Sequence, residues 1–405
     1  MASRIGRSVG VLVWLVLVML LLGACREAGD SPAGLEPAPL AAPLGDPWQE
    51  TVELEVPSER LGASRTVALR ITSVPGSERD TPRPLVMVMD GASYHGLVSG
   101  YAEAMARRWA LPGLIIVSVP HQQREAELSS LRHGGIAENP FYRFLVDELT
   151  PFIAERYPAA PHRSLLGYSS GGAFALAALF ENDGAFQGFV VGAAPPVERL
   201  DDGRQVELLP AQVAATRGAV PRLLHLGVGS LDQDWFLDAE EAIRQRLGDA
   251  RSLGVELSAR RVPGATHNSA APQVLLDGLG EIFGPWELPI SYQLGFDAKP
   301  LRTWSERHEA RFGFAAQLPE EVLVQYGMGP FFDGDFATAL PVFEVAAEIH
   351  PASPAAAWYL AASLRGLERP AEALEVAEAA LADRPGEADA GPWEQRLRQL
   401  ADELR

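Results

Sequence analysis

Leu165-Leu166-Gly167-Tyr168-Ser169-Ser170-Gly171-Gly172 is the stretch on which the reading of this chain turns. It sets a G-x-S-x-G pentapeptide directly after a short apolar run. Just after it comes a helix-forming run, Ala173-Phe174-Ala175-Leu176-Ala177-Ala178-Leu179-Phe180. A nucleophile elbow needs that context: a strand delivers the chain to a strained turn, and a helix carries it away. Small residues at 167 and 171 let neighbouring backbone approach, and the serine hydroxyl is left exposed at the helix N-terminus. In a chain with 38 glycines the pentapeptide alone says little. It gains meaning if an acid and a histidine follow in the right order.

Working outward, Val52, Leu54 and Val56, then Val67, Leu69 and Ile71, alternate with polar residues and predict two antiparallel strands. Pro84 to Met89 and Leu114 to Val119 are apolar on both faces, as in a parallel sheet covered by helices. Further strands are expected at 163–168, 187–192, 222–228 and 255–262. Helices are expected at 97–109, 141–157, 235–248 and 270–283. This alternation predicts an α/β fold, a doubly wound sheet with an antiparallel start. A small all-α region is expected after it.

The chain order can then be tested. After Leu223-Leu224-His225-Leu226-Gly227-Val228 comes Gly229-Ser230-Leu231-Asp232-Gln233-Asp234. Asp232 or Asp234 would sit at the carboxyl end of that strand, and the Gly-x-x-Asp spacing suits a tight turn and favours Asp232. The histidine is expected at His267, in Pro263-Gly264-Ala265-Thr266-His267-Asn268-Ser269. His225 lies within a strand and reads as packed, and His350 falls in the tail. His133, His162 and His308 have no supporting context, whereas His95 and His121 follow other strands and are able to line a site. In such an arrangement His267 takes the Ser169 proton, and Asp232 fixes its tautomer. The oxyanion donors are expected to be the N–H groups of Ser170 and Ala92, the latter in the turn Met89-Asp90-Gly91-Ala92-Ser93. No metal or cofactor is called for. The loop 121–140, with His121, Arg124, Glu125 and Arg132, is expected to shape the pocket.

With these pieces in place the chain resembles the Putative esterase family of α/β hydrolases. That family includes siderophore (enterobactin-type) esterases, S-formylglutathione hydrolases and mycolyltransferases. The matching segments are Val86-Met87-Val88-Met89-Asp90-Gly91, Phe144 to Ile153, Arg163 to Gly172 and Pro263 to Ser269, in the family's order over roughly residues 50–285. The resemblance implies Ser169 and His267 as catalytic, with the acid carried over less securely. Two departures stand out. Tyr168 occupies the place where the family usually has histidine, and Gly192-Ala193-Ala194-Pro195-Pro196 replaces a frequent Ser-Pro-Ser. Both concern the pocket region, so no substrate is inherited.

The two ends differ from the body. Arg4 and Arg7 precede an apolar run, Val9 to Leu22, of 14 residues, short against the roughly 20 of a membrane span. Leu22-Gly23-Ala24-Cys25 follows, and Cys25 is the only cysteine. This resembles a bacterial lipoprotein signal: residues 1–24 are removed, Cys25 is lipidated, and a Pro/Ala-rich stretch over 25–48 tethers the body to the membrane. With one cysteine, no disulfide forms within the chain. The body is expected over 49–287, a linker over 288–319 that includes Trp304 to Leu318, and the tail over 320–405. In the tail Ala339, Ala346 and Pro351 recur as Ala373, Ala380 and Pro385, an offset of 34 residues, which resembles two tetratricopeptide repeats. A capping helix follows, with Trp393, Leu397, Leu400 and Leu404 on one face. Such repeats imply a groove for a protein or peptide partner, a buttress for the body, or a lid over the active-site rim. The net charge of −19 repels polyanions and argues against nucleic acid as a partner.

The function expected is that of an envelope-anchored serine hydrolase acting on a small-molecule carboxylic ester or thioester. The alternatives are an acyltransferase of the same fold and a non-catalytic adaptor acting through its repeats.

Overall fold

Val52, Leu54 and Val56 are buried while Glu53 and Glu55 between them are exposed, so β1 (Val52–Val56) rests one face on the core. The strands that follow are β2 (Arg65–Ile71), β3 (Arg83–Met89), β4 (Ile115–Val119), β5 (Ala159–Tyr168), β6 (Gly188–Gly192), β7 (Arg222–Gly229) and β8 (Val255–Val262). These come from a computed structural model that describes residues 45–129, 135–180, 184–195, 220–286, 298–382 and 390–405. Cys25, the apolar run before it and the tether up to residue 44 lie outside the described residues, as do Arg132, His133 and Pro385.

One eight-stranded sheet forms, in the order β1-β2-β4-β3-β5-β6-β7-β8. The pairs β1–β2 and β2–β4 are antiparallel, and every pair from β4 to β8 is parallel. Each residue of β3 and β4 is buried, because helices cover both faces of the sheet. Successive side chains point to opposite faces. Leu85, Met87, Ile115 and Val117 meet Phe141, Phe144 and Leu149 of the helical stretch 140–154, and Phe174 of α2 (Ser170–Phe180). That layer also holds Ile243 and Leu247 of α3 (Asp234–Leu247). On the other face Val86, Val88, Ile116 and Val190 meet Val98 and Ala102 of α1 (Gly91–Ala106) and Val274 and Leu279 of α4 (His267–Phe283).

Strand order reverses at β3. The chain steps from β3 to β4 on one side, then returns to place β5 on the other. In an open α/β sheet such a switch point leaves a crevice at the carboxyl ends of the strands. Ser169, Asp232 and His267 all follow strand ends on this edge of the sheet.

Two helices begin earlier than the sequence periodicity predicts. α1 starts at Gly91 rather than near 97, despite Gly91, Gly96 and Gly100 in its first turns. Packing of His95, Val98 and Ser99 beneath the sheet outweighs the roughly 1 kcal/mol that each helical glycine costs relative to alanine. α4 starts at His267 rather than near 270, because Thr266 and Ser269 form a reciprocal cap ahead of the apolar face.

Beyond the sheet come α5 (Trp304–Phe312), α6 (Glu320–Phe332), α7 (Phe336–Ile349), α8 (Pro354–Gly366), α9 (Pro370–Leu381) and α10 (Pro392–Leu404). The side chains of Asp335 and Ser353 cap α7 and α8. Ala339, Ala361, Ala373 and Ala377 are fully buried, and their small size lets neighbouring helices close around Phe343, Tyr359, Leu397 and Leu400. α5 belongs to the body: Phe312 stacks on Phe283 at 5.8 Å and meets His162 edge-to-face at 5.1 Å. Trp304, at its other end, shares a second apolar cluster with Leu323 and Tyr326 of α6 and Val345 of α7. Among the described residues no helix is long and apolar enough to cross a membrane.

Candidate active site

β5 ends at Tyr168 and α2 begins at Ser170, so Ser169 makes the whole turn between them. It does so in the left-handed region, at φ 57°, a conformation that costs a non-glycine residue roughly 1–2 kcal/mol. Two main-chain bonds hold it there. Its N–H donates to the Gly192 carbonyl at 2.8 Å, and its carbonyl accepts from Ala173 N–H at 3.0 Å. The glycines are sterically required. A Cβ at Gly167 would run into the Gly171 carbonyl, and one at Gly172 into the Gly192 carbonyl. The elbow therefore packs backbone on backbone and leaves Ser169 half-buried at the mouth of the crevice.

The acid and the histidine arrive on two loops that are sewn together. Asp232 N–H donates to the Gly229 carbonyl at 3.1 Å, the tight turn that the Gly-x-x-Asp spacing predicts. Ser230 N–H donates to the Val262 carbonyl, and Leu231 N–H to the Ala265 carbonyl, both at 2.9 Å. Gly264 N–H donates to Ser230 Oγ at 2.8 Å. These bonds bring the Asp232 side chain, itself fully shielded from solvent, beneath His267. His267 Nδ1 lies 3.0 Å from Asp232 Oδ2, and Nε2 lies 3.1 Å from Ser169 Oγ. A carboxylate only accepts, so Nδ1 carries the proton and Nε2 is left to accept from the serine hydroxyl. Asp232 Oδ1 accepts from Gln233 N–H at 2.9 Å. Asp234 is exposed at the first residue of α3. An imidazole so placed is able to draw the proton from Oγ while the buried carboxylate holds its tautomer.

Aromatic rings box the imidazole. Phe236 stacks on it at 4.3 Å and 21°, and Trp235 stacks on Phe236 at 3.7 Å. Tyr168 packs at 5.3 Å, with its hydroxyl donating to the His267 carbonyl at 2.7 Å. None of these contacts is readable from the motif. Two adjacent aromatic residues just past the acid loop, Trp235 and Phe236, are the one local signal for them.

Ala92 is the second residue of α1 and Ser170 the first of α2, so both expected donors occupy helix starts, where N–H groups lack intrahelical acceptors. The two starts adjoin: a Cβ at Gly171 would lie 3.4 Å from Asp90 Oδ2. Asp90, the cap of α1, is also left-handed, at φ 55°. Its carboxylate does not cap the helix. It takes a two-pronged bond from Arg124, Nε to Oδ1 at 2.6 Å and Nη2 to Oδ2 at 2.9 Å. Beneath this pair Asp90 N–H donates to His121 Nε2 at 3.4 Å, and His121 Nδ1 donates to Glu127 Oε2 at 3.0 Å. Arg65 Nη2 donates to Glu127 Oε1 at 2.9 Å. Burial alone would raise the Glu127 carboxyl, but the bonds from His121 and Arg65 bring it down to about 2. The turn expected to hold the oxyanion is thus fixed by an ion-pair cluster on the segment 121–127.

His95 does not reach the crevice. It is buried between Ser118 Oγ, at 2.7 Å from Nδ1, and Thr51 Oγ1, at 3.1 Å from Nε2. His225 is packed, as expected for a histidine within a strand, with Nδ1 2.8 Å from Ser258 Oγ. Among the described residues, no group of three or more His, Cys, Asp or Glu is placed to hold a metal ion.

A doubly wound sheet with a serine elbow at its switch point defines the α/β-hydrolase class. The sequence profile of the family described as Putative esterase matches residues 58–271, more than half of the chain. The chain belongs to that family, and it is an ester hydrolase. No curated protein matches it. Among solved structures it is similar to an uncharacterised protein from Capnocytophaga ochracea, with a TM-score of 0.65 at 15% identity, covering 88% of this chain and 99% of the other. An IroE-like serine hydrolase from Shewanella oneidensis gives 0.62 at 17% identity, covering 74% of this chain and 99% of the other. At such identities the likeness is one of fold. The first of them extends well past the sheet into the helical region.

Proposed function

We propose that the enzyme cleaves a carboxylic ester or thioester with Ser169 as nucleophile, His267 as general base and acid, and Asp232 as the carboxylate that orients the imidazole. One observation carries this reading: the unbroken chain from Ser169 Oγ to His267 Nε2 at 3.1 Å and from Nδ1 to the buried Asp232 Oδ2 at 3.0 Å. Oγ attacks the substrate carbonyl carbon as its proton passes to Nε2. The carbonyl oxygen becomes an oxyanion facing the N–H groups of Ser170 and Ala92, where two helix starts place positive partial charge. Collapse breaks the bond to the leaving alcohol or thiol, which takes the proton from the imidazolium. Water, deprotonated by the same base, then releases the acid and restores Ser169.

A fluorophosphonate probe is expected to label the purified protein at Ser169, and Ser169→Ala to abolish labelling together with hydrolysis of p-nitrophenyl butyrate. Undiminished labelling of Ser169→Ala would refute the assignment.

We further propose that this chemistry takes place at the cell envelope, with the body held to a membrane by lipidated Cys25. The support is the sequence itself: a basic start, a 14-residue apolar run and the chain's single cysteine directly after Gly23-Ala24. Cys25→Ser expressed in a bacterial host is expected to move the enzyme from the membrane fraction to the soluble one. Unchanged partition would overturn the anchor.

A further inference from the structure

We propose that Tyr168, the residue before the nucleophile, is a positioning residue for His267 and acts through the main chain of α4. The inference rests on the roles given above to Ser169, His267 and Asp232. The Tyr168 hydroxyl donates to the His267 carbonyl at 2.7 Å, and the residue is 4% exposed. Its hydroxyl is therefore engaged with the protein and not offered to substrate.

The geometry explains why such a prop is useful. His267 opens α4, and the first residues of a helix have the fewest bonds to hold them. The Thr266–Ser269 cap fixes the approach to the helix, and Phe236 presses on one face of the imidazole. Tyr168 supplies a bond from the side of the sheet, at the residue whose ring must stay within reach of Oγ. Burial, and then the negative charge of Asp232, push the phenol well above its ordinary range, so it stays a donor wherever the enzyme works.

Space for the ring comes from Gly192: a Cβ there would strike Tyr168 Cδ2. The carbonyl of the same Gly192 accepts the Ser169 N–H at 2.8 Å. One short piece of structure thus fixes the nucleophile through its amide and the base through its carbonyl. The separation between Oγ and Nε2 then depends on the link from β5 to α4. Misplacement of a reacting group by about 1 Å costs on the order of 10²-fold in rate.

The test compares Tyr168→Phe and Tyr168→Met with the unaltered protein and with Ser169→Ala. It reads kcat and KM on p-nitrophenyl butyrate, the rate of fluorophosphonate labelling, and the melting temperature. Both Tyr168 variants are expected to lose about tenfold in kcat and in labelling rate, with KM within about twofold. Tyr168→Phe is expected to melt close to the unaltered protein. Unchanged kcat in Tyr168→Phe would overturn the proposal, as would a raised KM at constant kcat, which marks a substrate contact. Failure of both variants to fold would overturn it too, by making Tyr168 a structural pillar. The Ser169→Ala control separates the two readings. Labelling that persists there defeats the triad itself. Labelling lost there but normal in Tyr168→Phe defeats only the role of Tyr168.

Discussion

Asp232 and Asp234 stand two residues apart and lead very different lives. Asp232 is shielded from solvent and bonded to His267 Nδ1, whereas Asp234 is exposed at the start of α3. Asp232→Asn keeps the shape but offers the imidazole an amide able to hold the wrong tautomer. It is expected to lower kcat by roughly 10⁴ on p-nitrophenyl butyrate, the scale seen when a triad acid becomes its amide. Asp234→Asn is expected to stay within about twofold of the unaltered enzyme. An equal loss in both variants would mean that the acid has been misplaced. The order serine, acid, histidine is legible because chain order and turn spacing are one-dimensional properties. Tyr168 is another matter: its hydroxyl meets a carbonyl 99 residues away, and nothing local to Tyr168 announces that. Phe236 is similar. Its neighbour Asp232 is visible in the sequence, but the stack on His267 exists only after β7 and β8 have paired.

At the scale of elements, strands were easier to read than helix starts. β8 runs over Val255–Val262, the bounds expected for it, and β3 and β4 lie within a residue of theirs. Strands buried on both faces leave a continuous apolar run, and that run ends where burial ends. Helix starts depend on contacts that the periodicity does not contain. The first three turns of α1 carry Gly91, Gly96 and Gly100 and look like loop by propensity. They are helical because His95, Val98 and Ser99 pack under β4, with Ser118 bonding His95. The turn proposed to hold the oxyanion shows the same limit. Gly91 hinted at a close approach, yet the two-pronged bond from Arg124 to Asp90 needs the segment after β4 to fold back over the end of β3. The stretch around α5 is expected as a linker that joins the tail to the body. Yet Phe312 stacks on Phe283 and meets His162 edge-to-face, and Trp304 packs with α6 and α7.

At the scale of the whole molecule, the same closure of helices onto the sheet buries histidines that the chemistry does not use, and this sets a pH limit on the fold. His162, His225 and His308 are each no more than 3% exposed. Burial, chiefly, lowers His162 to about 3 and His225 and His308 to about 4. In the unfolded chain all three titrate near 6.5. Between 6.5 and about 4 the unfolded chain therefore binds up to three protons that the native state refuses. Stability rises with pH wherever the unfolded state binds more protons, so here it falls on acidification, by up to about 1.4 kcal/mol per pH unit for each histidine. Above pH 7 these groups contribute nothing. Glu127 acts in the same direction lower down, since its native value of about 2 lies under the ordinary 4.5 and its contribution is lost across that interval. Urea denaturation at pH 8, 7, 6 and 5 is expected to give midpoints that agree at the first two and drop steeply at the last two. A midpoint unchanged from pH 7 to pH 5 would mean that the three imidazoles take up protons in the native state and are not held neutral by their burial.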